Sequence, residues 1–190
     1  MIELDNLLHE KERKLLRSCI GKQLRQFQGV MLGDAAWHTV RLETAGPAID
    51  ITCTKTLQQV DDAGNTDEFG TMKVSIAKPE TLHVPDIEGD AETRTLDGTI
   101  TGVHIANERI SVTVRGKTVS TRQSTQAIIL ELDDSSSLVV DRGVWFSEML
   151  VVSRGNYVGS MLYDGSQDWE DDPDEDPDTH YDYASWIERA

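Results

Sequence analysis

The stretch AIILELDDSSSLVV, residues 127–140, decides how this chain folds. AIILEL (127–132) and SLVV (137–140) are dense apolar runs, and DDSSS (133–137) between them suits a tight turn. Short runs this rich in Ile, Leu and Val predict central strands covered on both faces. Outward from them the pattern loosens into strict alternation. Ile110, Val112 and Val114 alternate with polar residues in RISVTV, as do Met72, Val74 and Ile76 in TMKVSIA. Ile49, Ile51 and Cys53 do so in AIDITC, and Val40 and Leu42 in HTVRLE. Period two means half-buried strands, one face in and one face out. DDAGN (61–65), Asp97-Gly98 and Asp141-Arg142-Gly143 suit the turns between them.

The N-terminus follows another period. Leu4, Leu7, Leu8, Leu15, Leu16 and Cys19 recur at spacings of three, four and seven. This predicts a helix over about 5–20, capped by Asp5 and ended by Gly21, with EKERK as its solvated face. A second helical pattern is visible only in YASWIERA at the C-terminus. The expected fold is α+β and mostly antiparallel β: one N-terminal helix on a sheet of roughly ten short strands joined as meanders. PAIDITC and FGTMKVSIA find echoes in QAIILEL and WFSEMLVVS. The echo suggests two similar β halves, about 22–80 and 96–160, within one domain spanning 1–163. KPETLHVPDIEGDAETR (78–94) reads as a long loop or connection.

Charge divides the chain differently. Of 34 acids in a formal net charge of −16, eleven fall between Asp164 and Ala190, against one arginine. The densest part is DWEDDPDEDPD (168–178), eight carboxylates in eleven positions. Such a surface repels phosphate backbones and anionic lipids, which argues against nucleic-acid and membrane partners. Trp169, Tyr181, Tyr183 and Trp186 interrupt the acidity, and a purely solvated tail has little use for them. Residues 164–190 are therefore expected to dock on the β core through these aromatics and to hold their carboxylates on a fixed surface. An alternative is that the segment covers the chain's own basic helix at Lys11, Arg13, Lys14 and Arg17.

Catalytic patterns do not emerge. There is no phosphate-binding Gly-rich loop, dinucleotide fingerprint, nucleophile elbow, paired-Cys knuckle or His-Glu-x-x-His. An EF-hand counted from Asp172 fails at its sixth position, Pro177, and at its twelfth, Tyr183. A pair of catalytic carboxylates needs two groups with divergent environments, which a run of like charges does not offer. Cys53 with His38 would make a thiol–imidazole pair across two strands, but a small buried apolar side chain is the simpler reading of Cys53. The expectation is no enzyme, no cofactor and no metal. Cys19 and Cys53 do not make a disulfide framework. MIELDNLLHEKERK is charged and lacks the apolar run of a signal peptide, so none is expected, and no stretch reaches transmembrane length. A cytoplasmic protein with reduced thiols is expected.

What remains is electrostatic recognition of a basic partner. The expected contact surface is Asp171, Asp172, Asp174, Glu175, Asp176 and Asp178, with Trp169 and Tyr181 as flanking anchors. In DWEDDPDEDPD, in its β scaffold without catalytic motifs and in its size, the chain resembles the bacterial immunity proteins of toxin delivery systems, such as contact-dependent growth inhibition. The resemblance is one of type and carries over no residue. It implies a non-catalytic inhibitor bound one-to-one to a basic toxin. Two other readings stay open: a self-associating structural β module with a solubilising acidic tail, and an enzyme whose site lies around His38, Cys53 or His104.

Overall fold

The computed structural model describes residues 1–32, 35–60, 64–78, 82, 92–169 and 177–190, with backbone alone at 30–32 and 35–38. The described residues are mostly antiparallel β with one α-helix. Among the described residues the order is β1 (Ile2–Asn6), α1 (Glu10–Arg17), β2 (Gln23–Leu32), β3 (Ala35–Thr44), β4 (Ile49–Gln59) and β5 (Thr66–Ile76). Then come β6 (Glu92–Val114), β7 (Lys117–Leu132), β8 (Ser137–Asp141), β9 (Met149–Gly155) and β10 (Thr179–Arg189). Short 3-10 turns at Val158–Ser160 and Gly165–Trp169 precede β10.

AIILEL lies in β7 and SLVV in β8, and these strands pair directly. Their density has two causes. Ile128, Leu130, Leu138 and Val140 point into the main core. Ala127, Ile129 and Val139 point the other way, with Ala106, beneath Val158, Met161 and Leu162. Pairing continues β7-β8-β9-β3-β2-β6, and β6 pairs β7 in turn, so six strands close into a ring. Closure leaves no edge inside the ring, and side chains fill its interior. The length of β6 makes this possible. One edge of it serves β2 up to Thr99 and then β10 from His104, while its other edge runs along β7. The β4–β5 hairpin hangs from β3, and β1 lies parallel to β7.

Four local expectations are corrected. Residues 2–6 are a strand, because the Ser120–Ser124 edge of β7 satisfies their backbone groups; α1 begins only at Glu10. An isolated helix of that length is marginal, so tertiary pairing decides the boundary. Asp5 is therefore no cap. Glu12 instead accepts the His9 N–H at 2.8 Å with one carboxylate oxygen and the Val74 N–H of β5 at 3.0 Å with the other. YASWIERA is strand, paired with His104–Ile110. Asp97-Gly98 is no turn, for Gly98 pairs with Leu24 in the middle of β6. The hairpin turn lies at Arg115-Gly116, both at positive φ (50° and 74°), the conformation a two-residue hairpin loop requires. A non-glycine residue accepts that conformation only at a cost, so the sequence signal was weak.

Residues 49–53 and 72–76 lie on the paired strands β4 and β5. Their suggested echoes lie on β7 and β9, with β8 between them. Ile76, placed inward by its alternation, is 60% exposed.

Candidate functional site

Beyond the ring, the outer halves of β6 and β7 form one face with β1, β5 and β10. Ile110 and Val112 on β6 and Val119 on β7 line a groove of about 310 Å3 there, together with Leu4, Trp169 and Tyr181. Extending the alternation of RISVTV back by two residues puts Glu108 on the same side as Ile110. No apolar residue continues the groove at that point; a buried ion cluster does.

Arg142, in the Asp141-Arg142-Gly143 turn, is the largest fully buried side chain among the described residues. It donates to the Glu108 carboxylate, to the Gly70 carbonyl at 2.8 Å and to the Trp145 carbonyl at 3.4 Å. Glu108 also accepts the Ser124 hydroxyl at 2.8 Å. Arg122 lies 3.9 Å from the same carboxylate and is 5% exposed. One carboxylate thus serves two guanidiniums. The carbon of the Arg122 guanidinium sits 4.0 Å from the Phe69 ring centroid, a cation–π contact, and 5.8 Å from that of Trp145. Burial, reinforced by the charge of Arg142, brings Arg122 down to about 9, so it still carries its charge at neutral pH. Its Nε and Nη1 are buried and have no hydrogen-bond partner among the described residues.

The aromatic residues form a continuous chain. Phe69 and Trp145 lie 5.2 Å apart between centroids, Trp145 and Trp169 5.1 Å, and Trp169 and Tyr181 5.7 Å. Trp169 ends a 3-10 turn and Tyr181 sits on β10, so the residues on either side of the acidic run meet at the groove. Asp178 accepts from Arg115 Nε at 2.8 Å, and its carbonyl accepts the Arg115 N–H at 2.9 Å. Asp171, Asp172, Asp174, Glu175 and Asp176 lie outside the described residues. Of the basic helix residues, Arg13 pairs with Glu188 on β10 at 2.6 Å and Arg17 with Glu10 on its own helix.

The residues considered for catalysis are not assembled. The Cys53 thiol is fully buried, donates to the Ser147 carbonyl at 3.3 Å and is pushed up to about 12 by burial. The His38 side chain lies outside the described residues. His104 is on β6 beside Glu131, at 3.2 Å. Among the described residues no three His, Cys, Asp or Glu side chains are grouped to hold a metal ion. None of their helices is long and apolar enough to cross a membrane. The cluster of Glu108, Arg122 and Arg142 was missed from sequence. Its one available signal was Glu108 occupying an inward position of an alternating strand.

Comparison of the chain with protein-family models, with curated proteins and with solved structures finds no match.

Proposed function

We propose that this chain is a non-catalytic, cytoplasmic protein-binding module, an immunity- or antitoxin-like inhibitor of a basic toxin. Its contact surface is the acidic run at Asp171, Asp172, Asp174, Glu175, Asp176 and Asp178, with Trp169 and Tyr181 as anchors. The reading takes residues 164–190 as a segment docked on the helix-plus-β domain, and 22–80 and 96–160 as similar halves of that domain. One observation carries it: Trp169 and Tyr181 are in ring contact at 5.7 Å. A run whose two ends are tied together presents its carboxylates with less loss of freedom on binding than a free tail does. Fixed charge of one sign speeds encounter with a basic partner and sets its orientation.

The test is capture from native lysate at low and high salt, followed by reconstitution with the purified captured protein. One basic protein held at low salt, released at high salt and forming a one-to-one complex supports the proposal. Reversing Asp172, Asp174 and Asp176 to lysine then lowers affinity and flattens its salt dependence; unchanged binding sinks the surface. A self-associating β module is the second reading. It is favoured by β10, which among the described residues has β6 as its one strand partner, so that its 182–189 part offers another strand an outer edge. Light scattering that finds a stable homo-oligomer and no heterologous partner selects it.

A further inference from the structure

The groove has a chemistry of its own, independent of the acidic run. Its lining is apolar along β1 and β6 and at Val119 of β7, and its volume of about 310 Å3 falls at the small end of ligand pockets, which span roughly 300–1,000 Å3. Arg122 is the one cation among its described lining residues and is 5% exposed. Three buried nitrogen donors on this lining have no acceptor among the described residues: Nε and Nη1 of Arg122, and Nε1 of Trp169. Buried donors left without acceptors are costly, and natural proteins rarely tolerate several together. The Phe69 ring face offers the Arg122 guanidinium only its π density.

A ligand that fits this lining brings acceptors at one end and apolar surface along the rest. Its charge is limited as well. Glu108 lies 3.9 Å from Arg122, and Asp67 is among the lining residues, so a dianion meets about twice the repulsion of a monoanion and costs more to desolvate. An uncharged apolar molecule fills the groove but leaves the donors unanswered. We propose that the groove binds an amphipathic monocarboxylate, a medium-chain aliphatic or aryl acid. Its carboxylate lies against Nε and Nη1 of Arg122, and its apolar body runs along Val112, Val119 and the Trp169 ring. A planar carboxylate matches the forked donors of a guanidinium.

The test is calorimetric titration of the full chain with decanoate below its micellar concentration, with decan-1-ol and with inorganic phosphate. The expected result is saturable one-to-one binding of decanoate and no binding of phosphate. Decan-1-ol binds more weakly by roughly ten- to a hundredfold, the factor of a charge-assisted hydrogen bond. Arg122→Gln abolishes the preference for acid over alcohol. Since that variant alters a buried site, two further readouts stand beside it. In the unaltered protein, the Arg122 Nε–H resonance shifts on addition of decanoate and stays in place with phosphate. Val119→Trp, which narrows the groove at its β7 wall, removes binding of both acid and alcohol. Equal affinity for acid and alcohol, saturable phosphate binding or no saturable binding overturns the proposal. So does decanoate binding that appears only after Asp171, Asp172, Asp174 and Asp176 are replaced by asparagine, because the chain's own acidic run is then the occupant.

Discussion

Glu108 and Arg142 form an ion pair enclosed by protein, their side chains 3% and 0% exposed. Breaking such a pair leaves a charge without compensation, whereas removing a surplus charge does not. Arg142→Met is therefore expected to cost about 3–5 kcal/mol, since it leaves Glu108 with only the 3.9 Å contact to Arg122 and removes the guanidinium donor from the Gly70 carbonyl. Arg122→Met leaves the Arg142 pair in place and is expected to cost much less or to stabilise. Urea unfolding of the two variants checks the contrast, and equal losses would show that both guanidiniums are needed to balance the site.

Gly70 sits where the chain permits no side chain. A Cβ there would stand 2.2 Å from the Ser147 carbonyl oxygen and 2.9 Å from Cδ of Arg142. The Gly70 N–H also donates to the Trp145 carbonyl at 2.9 Å, which holds the strand in place. Gly70→Ala is expected to destabilise by about 1–3 kcal/mol. At Gly102 the clash is with the carboxylate end of Glu131, an exposed and flexible side chain. Gly102→Ala is expected to fall within about 0.5 kcal/mol of the parent. Denaturant midpoints of the pair decide the matter.

Trp169 joins two ring contacts, to Trp145 and to Tyr181. Trp169→Ala is expected to lose about 0.5–1.5 kcal/mol per contact beyond its burial, and Trp169→Phe to recover part of it. Near-ultraviolet circular dichroism reports the ring packing. The alanine variant loses signal from the Trp145 environment while the far-ultraviolet β spectrum is retained.

Acid acts on the link between α1 and β10. The Arg13 guanidinium, through its hydrogen bond to Glu188, holds that carboxyl below its usual value of 4.5. A carboxyl depressed on folding contributes stability above its unfolded value, and that contribution is lost as pH falls through the folded value. Glu188→Gln is thus expected to be less stable than the parent at neutral pH. The gap should close as pH falls through and below 4.5. Thermal melts across that range measure it. A gap that widens in acid would contradict the sign.

Both thiols are expected to be silent in the folded protein. Cys19 and Cys53 are buried, and burial pushes both up, Cys53 to about 12. Only thiolate reacts with a chromogenic disulfide, so neither should titrate at neutral pH until urea exposes them. Rapid reaction of Cys53 in native buffer would contradict its enclosure by β4 and Ser147.

How far the fold could be read from residues depended on whether a signal was local. AIILEL and SLVV carry their strand character in themselves, because β-branched and leucine-rich runs of that length suit a covered strand. Residues 2–6 and YASWIERA do not, since their spacing suits a helix as well as a strand. The edges of β7 and β6 then select the extended form. Asp97-Gly98 has the composition of a turn, yet it lies inside a strand long enough to pair β2, β7 and β10. The positions of Trp169 and Tyr181 were inferred from an economy of aromatics in an acidic segment. The cluster of Glu108, Arg122 and Arg142 was invisible, because its members lie on two strands and a turn separated by many residues.

The sequence by itself determined which stretches are apolar at period two, where the negative charge accumulates, and that two thiols stand without a framework. These follow from side-chain chemistry and spacing alone. Only the tertiary structure decided that six strands close on themselves, that Glu108 lies between two arginines, and that Arg122 lines a largely apolar groove. Those are relations across long separations, set by which edges pair and by the volume left between them, and no local pattern encodes either.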